Sequence, residues 1–262
     1  MKVKYNMNHR LASKKGIYVI PNLITSASLF CGFYAIISSI QGFYETAAIA
    51  IIIACFLDGL DGRVARFTNT TSQFGTEYDS LSDLVAFGVA PAILAFEWAL
   101  EPFGRLGWLA CFMYVICGAL RLARFNVQKN SVEANYFKGL PIPIAASFIS
   151  SLILFTSTIG GLTGFKDILV IIMIYILSFL MVSTVDYLSF KEINSKRQKP
   201  FNVLVTVILI LLVIAYKPKI MLFFILTIYI ILGPILTIYR IHRRKALSSF
   251  DMKNSPPINE EL

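Results

Sequence analysis

Four aspartates cluster along the chain with two short spacings. Asp58 and Asp61 lie in the run Asp58-Gly59-Leu60-Asp61-Gly62-Arg63-Val64-Ala65-Arg66, and Asp79 and Asp83 follow Gly75. On a helix, residues three and four apart point roughly 60° and 40° from one another, so each pair shares a face. Two such faces on neighbouring helices make a cage of oxygens. No His or Cys stands among the candidate ligands, so the set suits hard cations, Mg²⁺ or Mn²⁺, and four acids could hold two of them. Acids beside lipid are costly unless they bind cations or move protons. Gly62, Ala65 and Gly75 lack bulk and let a flat ligand approach the backbone, while Arg63 and Arg66 offer cations to phosphate oxygens. Carboxylates, metal, small residues and arginine together point to phosphoryl chemistry.

The elements that carry these residues must lie in a membrane. The chain has 262 residues, 56% of them hydrophobic and only 15% charged, with a mean hydropathy of +0.70. That leaves too little polar surface for a soluble globule. Apolar runs near the length needed to cross the bilayer, about 20 residues each, fall at 17–40, 44–65, 79–100, 105–125, 141–161, 166–190, 202–216 and 219–239. The sequence therefore predicts an all-α integral membrane protein of about eight transmembrane helices. The run at 202–216 is short and meets the next through Lys217-Pro218-Lys219, so this last pair could instead be a shallower hairpin.

With both termini cytoplasmic, only Arg105, Lys166, Lys217 and Lys219 of the 24 basic residues face the other side. The aspartates then sit at the cytoplasmic ends of the second and third helices. The chain divides into a basic juxtamembrane segment (1–16), a catalytic core of about six helices (17–192), two further helices (193–244) and a polar disordered tail (245–262). The first apolar run is too long for the core of a cleaved signal peptide and is kept as a helix. The formal charge of +9 is spread over short loops at one membrane face, which fits anionic headgroups and not nucleic acid. Cys31, Cys55, Cys111 and Cys117 fall within spans and read as apolar filler. His9 and His242 read as solvated interfacial residues. Glu97 and Glu101 lie near the far side, away from the aspartates.

The spacing D-x2-D-G-x2-A-R-x8-G-x3-D-x3-D resembles the signature of the CDP-alcohol phosphotransferase family, with every fixed position met between Asp58 and Asp83. Further segments resemble the serine phosphatidyltransferase branch of that family over roughly residues 16–192. They are Ile20-Pro21-Asn22-Leu23-Ile24-Thr25, Arg121-Leu122-Ala123-Arg124-Phe125-Asn126, Phe137-Lys138-Gly139-Leu140-Pro141-Ile142-Pro143 and Tyr187-Leu188-Ser189-Phe190-Lys191.

The resemblance implies a metal-dependent transfer, without a covalent intermediate, of a phosphatidyl group from CDP-diacylglycerol to L-serine, giving phosphatidylserine and CMP. It implies metal ligands at Asp58, Asp61, Asp79 and Asp83, with Asp83 also taking the hydroxyl proton. It places the CDP-lipid against Asn22, Thr25, Gly62, Arg63, Ala65, Arg66 and Gly75. Location in the plasma membrane of a prokaryote, with the site at the cytoplasmic face, and a homodimer are also implied.

Serine's carboxylate needs a cation, and Arg121, Arg124 and Lys138 are available; equally, basic residues at helix ends mark topology. Asn22, an amide in an apolar run, must be satisfied by the nucleotide and its phosphates or by a neighbouring helix. Three other readings compete. Glycerol-3-phosphate or inositol phosphate would be the acceptor in the same chemistry. Intramembrane prenyl transfer also uses aspartate-rich helices, and a cation transporter would use the acids for its cargo, although their clustering at one face argues against a midplane site.

Overall fold

The computed structural model describes residues 19–68, 72–128, 137–160, 166–187 and 217–254. Apolar runs become helices because backbone polar groups in lipid must be satisfied within the segment itself. In order these are α1 (Val19–Ile40), α2 (Tyr44–Phe67), α3 (Gln73–Asp83), α4 (Ala90–Ala95), α5 (Arg105–Gln128), α6 (Ile142–Thr158), α7 (Lys166–Val182) and α8 (Pro218–Asn254). A wide π turn, Leu84–Val89, joins α3 to α4, and a second, Phe96–Leu100, follows α4, so residues 73–103 form one continuous rod.

The rod changes pitch for an identifiable reason. Pro91 has no amide hydrogen to give the Phe87 carbonyl, which loses its α-helical donor. The fully buried Tyr114 of α5 donates its hydroxyl to that carbonyl at 3.1 Å. Among the described residues one strand-like feature interrupts the helices: Phe137–Lys138 (β1) pairs antiparallel with Asp186–Tyr187 (β2).

Small residues set the closeness of the bundle, as expected where backbones pack without a hydrophobic drive between helices. Ala35, Ala47, Ala48, Ala50 and Ala54 are buried on α1 and α2, which turn into one another at Gly42 with φ +81°. A side chain at Gly32 would meet the Cα of Ala86, on the rod, at 2.6 Å. The α6 helix runs through the core with Ile142, Ala145, Ala146, Ile149 and Ile153 buried, and its Ser150 and Ser151 bond back to their own helix. Outside, Phe30, Phe33, Phe56, Phe112, Phe179 and Ile228 are exposed, as suits a surface solvated by lipid.

Among the described residues, four helices are long and apolar enough to cross a membrane: Ile20–Ile40, Gln73–Phe103, Arg105–Val127 and Pro218–Tyr239; Ile142–Thr158 and Asp167–Val182 are apolar but shorter. The α2 helix is as long as α5, with Asp58, Asp61, Arg63 and Arg66 crowded toward its end. The expected span at 202–216 and both chain termini lie outside the described residues.

Two boundaries differ from the sequence expectation. The sixth helix stops at Val182 and not near 190, because Arg124 Nη1 donates to the Val182 carbonyl at 2.9 Å and the chain turns into β2. The fold is thus helical with one short ladder. The last helix continues to Asn254, ten residues into the segment read as a disordered tail. No strong helix breaker stands between Lys245 and Asn254, and Pro256-Pro257 follows.

Packing at Gly32 leads to a test. Gly32→Val should lower the thermal unfolding midpoint in detergent, at a cost of about 1–3 kcal/mol for overpacking. Gly59→Ala, whose added carbon meets open space, should leave it unchanged or slightly raised. Equal midpoints for Gly32→Val and the parent would contradict the close contact of α1 with the rod.

Candidate active site

The end of α2 and the start of the rod bring three carboxylates together. One ligand atom from each of Asp58, Asp61 and Asp79 lies within 4.8 Å of the others. Asp83, one turn along from Asp79, meets Asp58 through a carboxyl–carboxyl hydrogen bond. Were Asp58, Asp61 and Asp79 all ionised, each pair would repel by about 3–4 kcal/mol at an effective dielectric constant near 20. An oxygen-only set at this spacing fits a divalent cation, which relieves that repulsion.

Hydroxyl groups of α1 hold the cage in place. The Thr25 hydroxyl, 5% exposed, donates to Asp61 Oδ2 at 2.7 Å and also lies 3.1 Å from the Pro21 carbonyl. The Thr25 carbonyl accepts from Ser82 Oγ at 3.2 Å, which ties α1 to the turn carrying Asp83. Ser26 bonds the Tyr78 hydroxyl at 2.8 Å, next to Asp79, and Ser28 donates to the Ala54 carbonyl at 3.0 Å. A threonine facing a carboxylate fixes which oxygen remains open toward a cation, as outer-shell partners do at metal sites.

The α3 helix begins at a side-chain cap. Ser72 Oγ accepts from the Gly75 amide at 3.0 Å. A carbon added at Gly75 would lie 3.1 Å from Ser72 Oγ and 3.4 Å from Asn22 Oδ1, so Gly75 lets this helix start pass close to Asn22. At Gly62 the nearest atom to such a carbon would be the Arg66 guanidinium at 4.0 Å. That face is open, with Ala65 half-buried and Arg63 and Arg66 exposed beside it.

The three cations expected to serve a carboxylate have separate fates. Arg121 is half-buried, lies within electrostatic reach of Asp83 and Asp58, and leaves its Nε without a hydrogen-bond partner among the described residues. Arg124 holds the end of α7 through Val182. Lys138 stands opposite Asp186 in the ladder, and its side chain lies outside the described residues.

Several contributors were not singled out in the sequence. Besides Tyr78 and Ser82, Asn126 Nδ2 donates to Ser80 Oγ at 2.9 Å and ties α5 to α3. Tyr229 on α8 lies within electrostatic reach of Arg121. Asn126 closes the Arg121–Asn126 segment and Tyr78 adjoins Asp79, so adjacency was a usable signal for both. Tyr229 offers no such signal.

A membrane-type helical bundle with an oxygen cage at one end, built on this aspartate spacing, defines the class. Residues 18–182 match the CDP-alcohol phosphatidyltransferase family, and the chain belongs to it. It is 42% identical over 178 residues to the CDP-diacylglycerol–serine O-phosphatidyltransferase of Helicobacter pylori strain 26695, covering 68% of this chain and 75% of that protein. The Bacillus subtilis protein of the same name is 38% identical over 173 residues, covering 66% of this chain and 92% of that one. An archaetidylserine synthase of Methanothermobacter thermautotrophicus is 40% identical over 171 residues, 64% of this chain and 69% of that protein.

The Thr25–Asp61 contact can be tested directly. Thr25→Val keeps shape and removes the donor; the Mn²⁺ concentration for half-maximal turnover should rise about 10–100-fold. An unchanged metal requirement in a folded variant would remove Thr25 from the support of the cage.

Proposed function

We propose that this protein transfers a phosphatidyl group from CDP-diacylglycerol to L-serine, releasing CMP and forming phosphatidylserine in phospholipid biosynthesis. The observation that carries this reading is the Asp58–Asp61–Asp79 cluster, with Asp83 against Asp58 and the half-buried Arg121, its Nε enclosed, near Asp83. The names of the relatives support the acceptor. In this reading the site lies at the cytoplasmic face of a prokaryotic plasma membrane, with about eight spans and both termini on the same side; the distribution of basic residues supports that orientation. The proposed protein is a homodimer.

The residues divide into a donor half and an acceptor half. Asn22, Thr25, Gly62, Arg63, Ala65, Arg66 and Gly75 form the donor half, where backbone approaches closely and exposed arginines pair phosphate oxygens. Asp83 and Arg121 form the acceptor half, with Arg124 and Lys138 at its edge. When bound to Asp58, Asp61, Asp79 and Asp83, divalent cations, two Mg²⁺ or Mn²⁺, supply charge neutralisation for the diphosphate and the departing CMP. Arg121 pairs the serine carboxylate and aims the hydroxyl at the diacylglycerol-bearing phosphorus. Asp83 takes the hydroxyl proton as the new P–O bond forms. The bond from that phosphorus to the bridging oxygen breaks, and CMP leaves with the electron pair on its phosphate oxygen. No residue is covalently modified.

Purified protein in detergent, given CDP-diacylglycerol, Mn²⁺ or Mg²⁺ and one acceptor at a time, tests this reading. Expected are serine-dependent CMP release and phosphatidylserine, loss of both with chelator and recovery on adding metal. Product only with glycerol-3-phosphate or inositol phosphate would change the acceptor. Chelator-resistant turnover would exclude the metal. Metal flux in proteoliposomes without CMP release would favour a transporter. Asp83→Asn should lower kcat by about 10²–10⁴-fold, the usual contribution of a general base. Near-normal turnover in the folded variant would remove Asp83 from that role.

A further inference from the structure

We infer that the cavity at the end of the bundle opposite the aspartates binds the headgroup of an amine-bearing zwitterionic phospholipid. Glu45 and the rings of Phe43, Tyr44 and Trp98 take its ammonium, and Lys219 takes its phosphate. The inference is independent of the proposed reaction, since none of the four aspartates lines this cavity.

The cavity, of about 660 Å³, lies where α1 turns into α2 and α6 ends, beside the second π turn of the rod. Its walls include Phe43, Tyr44, Glu45, Trp98, Thr156 and Ser157. Asp58 is about 20 Å further along α2 at the rise of a regular helix. Carbons added at Gly42 and Gly160, which also line it, would meet nothing within 4 Å, so the mouth is open.

The lining selects a cation. The Tyr44 hydroxyl donates to the Glu97 carbonyl at 3.0 Å, which fixes the ring in the same wall as Trp98. The Thr156 hydroxyl donates to the Ile153 carbonyl and the Ser157 hydroxyl to the Leu154 carbonyl, each at 2.9 Å. With those hydrogens committed, both oxygens can only accept from a ligand. Acceptors, a carboxylate and aromatic faces together recognise an organic ammonium, the acceptors through its N–H groups and the rings through its charge. A purely anionic headgroup would be repelled by Glu45.

The neighbouring charge complements the rest of the headgroup. Lys219 Nζ, from the first turn of α8, donates to Glu45 Oε2 at 2.6 Å, and the two side chains are 40% and 50% exposed. A carboxylate and an ammonium side by side match a headgroup in which an ammonium and a phosphate are joined by a short linker. A lipid also fits the position. Trp and Tyr concentrate where hydrocarbon meets water, the level of phospholipid headgroups. Ile40 and Phe43, both exposed, flank the turn and leave apolar surface beside the cavity for acyl chains.

The chain has two tryptophans, Trp98 and Trp108. Trp108 is exposed on α5, so full-length Trp108→Phe leaves Trp98 as a reporter in the cavity wall. Titrated in maltoside detergent with dihexanoylphosphatidylethanolamine, its fluorescence should change saturably. The phosphatidylglycerol with the same chains lacks the ammonium and should bind at least about 10-fold more weakly. Adding Glu45→Gln should weaken binding of the ethanolamine lipid about 10-fold, as for loss of a hydrogen bond to a charged group. Lys219→Gln should weaken it about threefold, as for an exposed ionic contact. Thermal midpoints without lipid should match, because an exposed ion pair contributes little to stability. The ethanolamine lipid should raise the midpoint of Trp108→Phe and not that of the protein also carrying Glu45→Gln. Equal affinity for the two lipids overturns the inference, as does unchanged affinity in Glu45→Gln. Soluble phosphoethanolamine binding as tightly as the lipid would also overturn it, by removing the acyl chains from recognition.

Discussion

Crowded negative charge at one end of an apolar bundle is the constraint on which the structure depends. Asp58, Asp61 and Asp79 converge within 4.8 Å, and Asp83 adds a fourth carboxyl against Asp58. Held that close, carboxylates repel by several kcal/mol per pair in a protein-like dielectric, about 3–4 at this distance. Nothing in lipid could offset such repulsion, and a divalent cation among the carboxylates would relieve it. The small residues around the cage have the same cause. Gly75 clears the space between Ser72 and Asn22, and Gly62 leaves the α2 face open.

The rest of the fold keeps this arrangement rigid. Thr25, Ser26 and Ser28 on α1 each bond to a different neighbour, namely Asp61, Tyr78 and the Ala54 carbonyl. One helix thereby fixes the two that carry the acids. Gly32 brings the same helix against Ala86, just beyond the first π turn. On the opposite side, Arg124 and Asn126 tie α5 to α7 and α3, which sets the register of Arg121 relative to Asp83. At the far end of the bundle Glu45 and Lys219 pair at 2.6 Å and the Tyr44 hydroxyl donates to the Glu97 carbonyl, well removed from the chemistry.

How much of this was legible in the sequence depended on how local the cause was. Asp58 and Asp61, and Asp79 and Asp83, could be placed on shared faces because helical periodicity alone decides it. The membrane class followed from composition, and the expected separation of Glu97 and Glu101 from the aspartates agrees with their position at the other end of the rod. What resisted were contacts made across the fold. Arg124 looks like Arg121 in the sequence, yet it is used to hold Val182, since only the three-dimensional end of α7 supplies that carbonyl. The length of the sixth helix misled for the same reason, because residues up to 190 are apolar enough to continue. Tyr229 is one aromatic in a long apolar run, and its stacking on Tyr187 depends on the close contact of Gly233 with that ring, between distant segments.

The claim most directly open to measurement is that the aspartates form one cation site before any substrate arrives. Mn²⁺ titration of the purified, substrate-free protein, followed by the loss of the free-ion paramagnetic resonance signal, measures this without turnover. The account predicts saturable binding in the parent and a large loss of affinity in Asp61→Asn, with the fold intact by thermal unfolding. Binding of equal affinity in the parent and in Asp61→Asn would contradict it.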